Sequence, residues 1–192
     1  MILICSNNQG KVAEISRALG GVEVASLKDR GIELDVVEDQ NTLEGNALKK
    51  AREGAKVSGL PTIADDTGLF IDALDGEPGV KVRRWPGYEA QDEELIALSF
   101  QKLKDIPEDD RTAKFVTVMA YVHPDGTELI GRGEVAGRIL DHRTGEYHPG
   151  LPFDTIFYSN ELMATFADAY DQKDLVSHRV RALEHLKAQL SL

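Results

Sequence analysis

Short apolar runs alternate along the chain with turn-forming polar stretches and with segments whose apolar residues recur every three to four positions. "MILIC" predicts a buried strand, and "SNNQG" after it is turn chemistry. In "KVAEISRAL", Val12, Ile15, Ala18 and Leu19 share one helical face, and Gly20-Gly21 ends it. "VEVASL" reads as a second strand. "TLEGNALKKAREGAKVSG" predicts a helix striped by Leu43, Ala47, Ala51 and Ala55, with Gly59 and Pro61 closing it. "TIA" and "LFIDAL" predict strands on either side of Asp65-Asp66, with a Thr-Gly turn between them. Asp75 to Tyr88 is rich in Gly and Pro and reads as loop, and "DEELIALSFQKL" as helix. "AKFVTVMAYVH" and "TELIGRGEVAGRIL", joined by "PDG", predict a β-hairpin. "DHRTGEYHPGLPF" reads as loop and "DTIFY" as a short strand. From Lys173 onward, Val176, Val180, Leu183, Leu186 and Leu190 keep helical spacing. Helices and strands interleave before the hairpin intrudes, so the pattern predicts an α/β fold with a mixed sheet. No repeat, low-complexity stretch or linker breaks it.

Length changes this picture little: 192 residues suit one domain, 1–192, with two lobes and ample core. Charge changes it more. The net charge of −11 argues against a nucleic-acid or membrane-surface binder, since both need a basic face. A small anionic substrate held by a few local cations, or by a metal between carboxylates, stays open. Cys5 is the one cysteine, which excludes a disulfide framework or a cysteine-rich zinc site within the chain. The apolar N-terminal run is too short for a signal peptide or a membrane span, so a cytoplasmic protein is expected.

Four constellations could carry chemistry. In Ser6-Asn7-Asn8-Gln9-Gly10-Lys11 a strand passes through small polar residues into a helix start. Helix-start N–H groups attract anions, and Lys11 adds a full charge. The spacing is not that of a Walker A loop, and a polar connection with a solvated lysine explains the stretch equally. Asp65-Asp66, with Glu38 upstream, offers oxygen ligands of the kind Mg²⁺ prefers and a carboxylate able to take a proton from water. Turn capping by the two Asp residues is the alternative. In "SHR", Ser177 to Arg179, with Lys173 one turn earlier, the cations suit phosphate or base oxygens. A solvated face is the simpler reading of that segment, with Leu175, Val176 and Val180 turned to the core. In "PGVKVRRWPG", Arg83, Arg84 and Trp85 could hold phosphate or a ring, or anchor a surface loop.

Taken in order, these pieces resemble the inosine triphosphate pyrophosphatase family, the non-canonical purine nucleoside triphosphate pyrophosphatases. Ser6, Asn8, Lys11 and Glu14 match its opening Ser/Thr-x-Asn-x-x-Lys-x-x-Glu pattern. "ADDTGLFIDALDGEPG" matches its long central motif, with Thr67 in place of Ser. "TLEGNA" is a degraded form of an upstream motif, and "KDLVSHRVRAL" matches the C-terminal one. The resemblance implies a long mixed sheet with flanking helices, forming two lobes around a central cleft, usually in a homodimer. It implies hydrolysis between the α and β phosphates of ITP, dITP or XTP, which cleanses the nucleotide pool. It further implies Asp66 as catalytic base and metal ligand, Glu38 as the second ligand of Mg²⁺ (with Mn²⁺ as substitute), and Asp65 as an electrostatic partner. Lys11 and the Ser6–Lys11 loop would bind the triphosphate, and Thr67 would add a hydroxyl. Leu151, Pro152, Phe153, Asp154, Lys173, His178 and Arg179 would meet the rest of the substrate.

Two segments depart from the family pattern. "PGLPFDTIF" stands where the family has "GFGYDPIF", so a stacking aromatic becomes Leu151 and a glycine becomes Pro152. "PGVKVRR" replaces "PGVYSAR", bringing in Lys81 and Val82. Phe153 and Trp85 are the aromatic residues placed to substitute. The phosphate chemistry is thus expected intact and the base pocket altered. The alternatives are a pyrophosphatase of the same fold for another modified nucleotide, or a non-catalytic nucleotide-binding protein.

Overall fold

A computed structural model describes residues 1–190. Strand β1 (Ile2–Ile4) leads into helix α1 (Gln9–Leu19), then β2 (Val24–Ser26) and α2 (Leu43–Ser58). Strands β3 (Thr62–Ile71) and β4 (Pro78–Gly79) precede α3 (Asp92–Leu103), and β5 (Thr112–Val122) and β6 (Glu128–Ile139) follow. Strands β7 (Phe157–Ser159) and β8 (Ala164–Thr165), a single helical turn α4 (Tyr170–Lys173) and α5 (His178–Leu190) complete the order. The strands form one sheet in the order β2-β1-β3-β5-β6-β7-β8, with β4 paired to β3 off this path. β1 runs parallel to β2 and β3, whereas β3–β4, β6–β7 and β7–β8 are antiparallel. The expected α/β fold with a mixed sheet and flanking helices is therefore what the chain adopts.

The chain divides into two compact units. The first holds residues 1–67, 117–133 and the chain from His178. Its core joins Ile2, Ile4 and Ile63 of the strands to Ile15 and Leu19 of α1 and to Ala182, Leu183 and Leu186 of α5. On the other face of β3, α2 comes so close that a Cβ on Gly54 would lie 2.8 Å from Thr62 and 3.0 Å from Cys5. Strand residues alternate between faces, so at the start of β3 Ile63 and Asp65 face α1 and α5 while Thr62 and Asp66 face α2. The second unit, residues 68–116 and 134–177, packs Leu69, Ile71, Leu95 and Ile96 around an aromatic group. Phe115 and Phe157 lie 4.7 Å apart between ring centroids, and Phe157 and Phe166 lie 5.2 Å apart.

Several local expectations are corrected. No turn follows the aspartates: β3 runs unbroken from Thr62 to Ile71. Thr67 is β-branched and suits a strand, and the carboxylates find partners on both faces, so nothing forces a break. Asp75–Tyr88 contains β4 and a short helical turn at Val82–Arg84. In "DTIFY" the strand begins only at Phe157, because Pro152–Thr155 form a helical turn. The C-terminal helix does not start near Lys173. The chain turns after α4, α5 begins only at His178, and Leu175 is 78% exposed rather than in the core.

Candidate active site

The alternation of β3 sends the two adjacent aspartates to different partners. Asp65 faces α1 and α5. Its Oδ2 pairs with Lys11 Nζ at 2.8 Å, lies 3.5 Å from Arg179 Nε, and accepts from Thr67 Oγ1 at 3.1 Å. Asp66 faces α2. Its Oδ2 accepts from Asn46 Nδ2 at 2.9 Å, its Oδ1 accepts from the Thr67 N–H at 3.1 Å, and Lys50 Nζ stands 3.6 Å away. Lys50 also pairs closely with Glu38, so one ammonium joins the two carboxylates expected to hold a metal. Both aspartates are buried.

These settings push the pair apart. Burial alone raises a carboxyl pKa. For Asp65 burial is outweighed by Lys11, Arg179 and Lys50, which hold it well below the ordinary carboxylate range. For Asp66 burial prevails, reinforced by the nearby Glu38, and its pKa rises despite Lys50, Lys11 and Asn46. Burial also works against the charge on Lys50, but Asp66 and Glu38 more than restore it, so its pKa is raised. Asp65 is thus a locked anion and Asp66 the more basic carboxylate, a division of labour typical of acid–base sites.

Upstream, Asn8 caps α1: its Oδ1 accepts from the Lys11 N–H at 3.2 Å, and Ser6 Oγ accepts from the Asn8 N–H at 3.2 Å. The loop therefore delivers the first amides of α1, those of Gln9 and Gly10, on the same helix end as Lys11. A hollow of about 440 Å³ borders Ser6, Asn7 and Gln9, but Glu33 and Asp35 line it too, against a single cation among the described residues, Lys28. Those carboxylates would repel a polyphosphate, so the phosphate reading rests on the Lys11 side.

Arg179, whose segment reads most simply as solvated, is 3% exposed and bound to Glu14 of α1 as well as to Asp65. His178 is 2% exposed at the start of α5. Glycines make this possible: a Cβ on Gly133 would lie 2.3 Å from the His178 carbonyl oxygen, so only glycine lets α5 lie this close to β6. In the second unit Lys173 is buried against Asp154 at 2.5 Å, with its Nζ 5.0 Å from the centre of the Phe166 ring. Leu151 and Pro152 are buried as well, and Phe153 belongs to the core, edge-on to Phe115. Phe153 is therefore no open stacking surface. Trp85 donates to Glu77 at 3.1 Å and packs on the same core.

Lys50 and Thr117, the latter 2.7 Å from Thr67 through their hydroxyls, belong to no motif in the sequence, and Asn46 lies inside the degraded "TLEGNA" motif with no role assigned by it. Asn46 and Lys50 had a signal: a polar i, i+4 pair directly beside the alanine stripe of α2. Thr117 lies in an ordinary strand pattern and has none.

Among the described residues no three His, Cys, Asp or Glu side chains converge as a ready metal cage. Mg²⁺ needs less: it keeps several waters and takes one or two protein carboxylates beside substrate phosphates. Glu38 and Asp66, close enough to share one ammonium, fit that demand.

Fold and site together define an α/β protein with a buried acid pair braced by lysines and an arginine. The chain belongs to the Ham1 family, whose model matches residues 2–189. Similar relatives include the dITP/XTP pyrophosphatase of Geobacter sulfurreducens, 41% identical over 98% of this chain and 96% of that protein. The dITP/XTP pyrophosphatase of Nocardia farcinica is 41% identical over 99% of this chain and 94% of its own. Among solved structures, the Staphylococcus aureus Ham1 protein matches with a TM-score of 0.82 and 37% identity, covering 99% of this chain and 97% of its own. The nucleoside-triphosphatase / dITP/XTP pyrophosphatase of Mycobacterium abscessus matches with a TM-score of 0.72 and 42% identity, covering 100% and 99%. The resemblance carried by the sequence motifs is borne out.

Proposed function

We propose that the protein hydrolyses non-canonical purine nucleoside triphosphates, dITP, XTP and ITP, to the monophosphate and pyrophosphate, and so clears them from the nucleotide pool. The observation that carries this reading is the split between two adjacent buried carboxylates, one neutralised by Lys11 and Arg179, the other left basic beside Lys50 and Glu38. Lys11 and the Ser6–Gly10 turn bind phosphate oxygens through an ammonium and helix-start amides. Asp66 takes the proton of the attacking water, as a carboxylate beside a metal site can. Asp65 stays ionised and holds Lys11 in place. Lys50 meets the negative charge that develops on the phosphates. Glu38 and Asp66 would hold Mg²⁺, or Mn²⁺ in its place, and the bound ion would neutralise phosphate charge and acidify the attacking water.

We assign base selection to Leu151, Pro152, Phe153, Asp154, Lys173, His178 and Arg179. Donors such as His178 and Arg179 suit a 6-oxo purine, whereas an adenine amino group would leave them unpaired. A second reading is favoured by Leu151 and by the commitment of Phe153 to the core: without an aromatic platform, a different modified nucleotide could be the better substrate. The same reading takes the protein as a cytoplasmic homodimer of single-domain chains that needs neither nucleic acid nor membrane. No helix among the described residues is long and apolar enough to cross a membrane.

The test is pyrophosphate release with Mg²⁺ from dITP, XTP, ITP, GTP, ATP and TTP. Oxo-purine triphosphates should have the highest kcat/KM and yield pyrophosphate. A clear preference for ATP or a pyrimidine would move the substrate class. Release of orthophosphate would remove the proposed bond cleavage, and no turnover of any of the six would leave a binding protein.

A further inference from the structure

The second unit contains a set of ties that the phosphate chemistry does not use. Helix α3 opens on Gln91-Asp92-Glu93-Glu94, and three acidic residues in a first turn suit the helix dipole. Each does something different. Glu94 turns back to accept from the Gln91 N–H at 2.7 Å and so caps the helix. Glu93 is gripped by both arms of Arg143, one at 3.0 Å. Asp92 reaches furthest: its Oδ2 accepts from Tyr147 Oη at 2.6 Å and from the Gly150 N–H at 2.7 Å, while its Oδ1 takes Arg83 at 2.5 Å. From the opposite end, the His148 ring stacks on Tyr170 with centroids 3.9 Å apart and planes 5° from parallel. Tyr170 opens α4, and Lys173, which binds Asp154, closes it.

The segment from Arg143 to Gly150 is therefore held on one side by the first turn of α3 and on the other by α4. Directly after it come Leu151, Pro152, Phe153 and Asp154. Exposed loops usually pay for few such contacts, because ordering long polar side chains costs about 1–2 kcal/mol each in lost rotamer freedom. A site needs its contacting residues fixed to within about 0.5 Å by the groups around them, and that requirement accounts for several independent ties on one short stretch.

We propose that Asp92 is a positioning residue for base selection: through Tyr147 and the Gly150 amide it fixes where Leu151–Asp154 begin, while the His148–Tyr170 stack fixes the Lys173 end. This rests on the reading of Leu151–Asp154 and Lys173 as base-selective. Asp92 touches neither phosphate nor water in this role, so its loss acts on recognition of the base and spares the chemistry at the phosphates.

The experiment compares wild type, Asp92→Asn and Tyr147→Phe, the latter removing a single hydroxyl in case the former folds poorly. It measures kcat and KM for dITP and dATP, inhibition by inorganic tripolyphosphate, which has no base, and the thermal midpoint. The expected result is a KM for dITP raised about 10- to 100-fold, a dITP:dATP preference reduced by a similar factor, and unchanged tripolyphosphate inhibition. A parallel fall in dITP and tripolyphosphate binding would make the ties merely structural and overturn the proposal, as would unchanged KM and preference in both variants. Lys173→Gln and Leu151→Ala separate the two ways of failing. If they alter base preference and the Asp92 and Tyr147 variants do not, only the positioning role falls. If none of the four alters it, the assignment of the base-selective residues falls as well, and the positioning role with it.

Discussion

At the scale of single residues, adjacent identical side chains end up with opposite electrostatics because a strand turns them to opposite faces. Asp65 meets Lys11 and Arg179, and Asp66 meets Asn46 and Lys50. Lys50 is the most exacting of these contacts, since it neutralises Glu38 and Asp66 together. Lys50→Ala should destabilise the fold by about 1–3 kcal/mol, because buried Asp66 and partly buried Glu38 lose their shared donor. Added Mg²⁺ should raise the melting temperature of that variant more than that of wild type; equal shifts would mean that the ion does not use Glu38 and Asp66. The acid pair and Lys11 were legible in the sequence, since motif spacing marks residue types that chemistry needs. Glu14 matched a motif, yet its role as the buried partner of Arg179 was not legible: the two are 165 residues apart, and only the packing of α1 on α5 joins them.

At the scale of elements, the strands and helices with strong periodicity were readable, and the irregular ones were not. α2 keeps its stripe of Leu43, Ala47, Ala51 and Ala55 and α3 forms where the sequence predicts a helix, whereas the turn after α4, in which the Lys173 carbonyl accepts from the Val176 and Ser177 N–H groups, interrupts an apolar spacing that runs straight through it. Alternate glycines in "GRGEVAG" carry more information than their turn propensity suggests. Gly131 and Gly133 share a face of β6, and a Cβ on either would lie within 2.1–2.3 Å of a backbone oxygen of α5. Neither oxygen can yield without shifting the helix that carries His178 and Arg179. Gly133→Ala should therefore cost about 1–3 kcal/mol or more in urea unfolding and lower activity too; a cost under about 0.5 kcal/mol would show that α5 is free to move. The loop–α3 junction makes a pH prediction. Burial raises the pKa of Asp92, but Tyr147, the Gly150 amide and Arg83 outweigh it and leave it lowered, with Glu93 as the neighbouring like charge. A lowered folded pKa contributes stability above the unfolded value of about 3.9, and that contribution is lost as pH falls through the folded value. The stability gap between wild type and Asp92→Asn should be full at pH 6 and close progressively below about pH 4; a constant gap would remove the charge on Asp92 as its cause.

At the scale of the whole molecule, a chain of net charge −11 takes a polyanion as its proposed substrate. The surface as a whole repels such a ligand, so the proposed binding would depend on a few local cations, Lys11 and Lys50, and on the divalent ion that would accompany it. Activity should accordingly vanish in excess chelator and return with Mg²⁺ or Mn²⁺; full turnover without a divalent ion would refute the roles given to Glu38 and Asp66. Fold class was legible from the alternation of elements, and family membership from motifs spread over nearly the whole length. The state of the base pocket was not, because whether Phe153 is a platform or a core residue depends on Phe115, 38 positions earlier, against which it packs. The division between the two aspartates is the centre of this account, and one comparison tests it most directly: pyrophosphate released from dITP per unit time by wild type and by Asp66→Asn, with folding of both checked by thermal melting. A folded Asp66→Asn protein should lose about 10²–10⁴-fold in kcat, the share a general base supplies. Wild-type turnover in that folded variant would contradict the assignment.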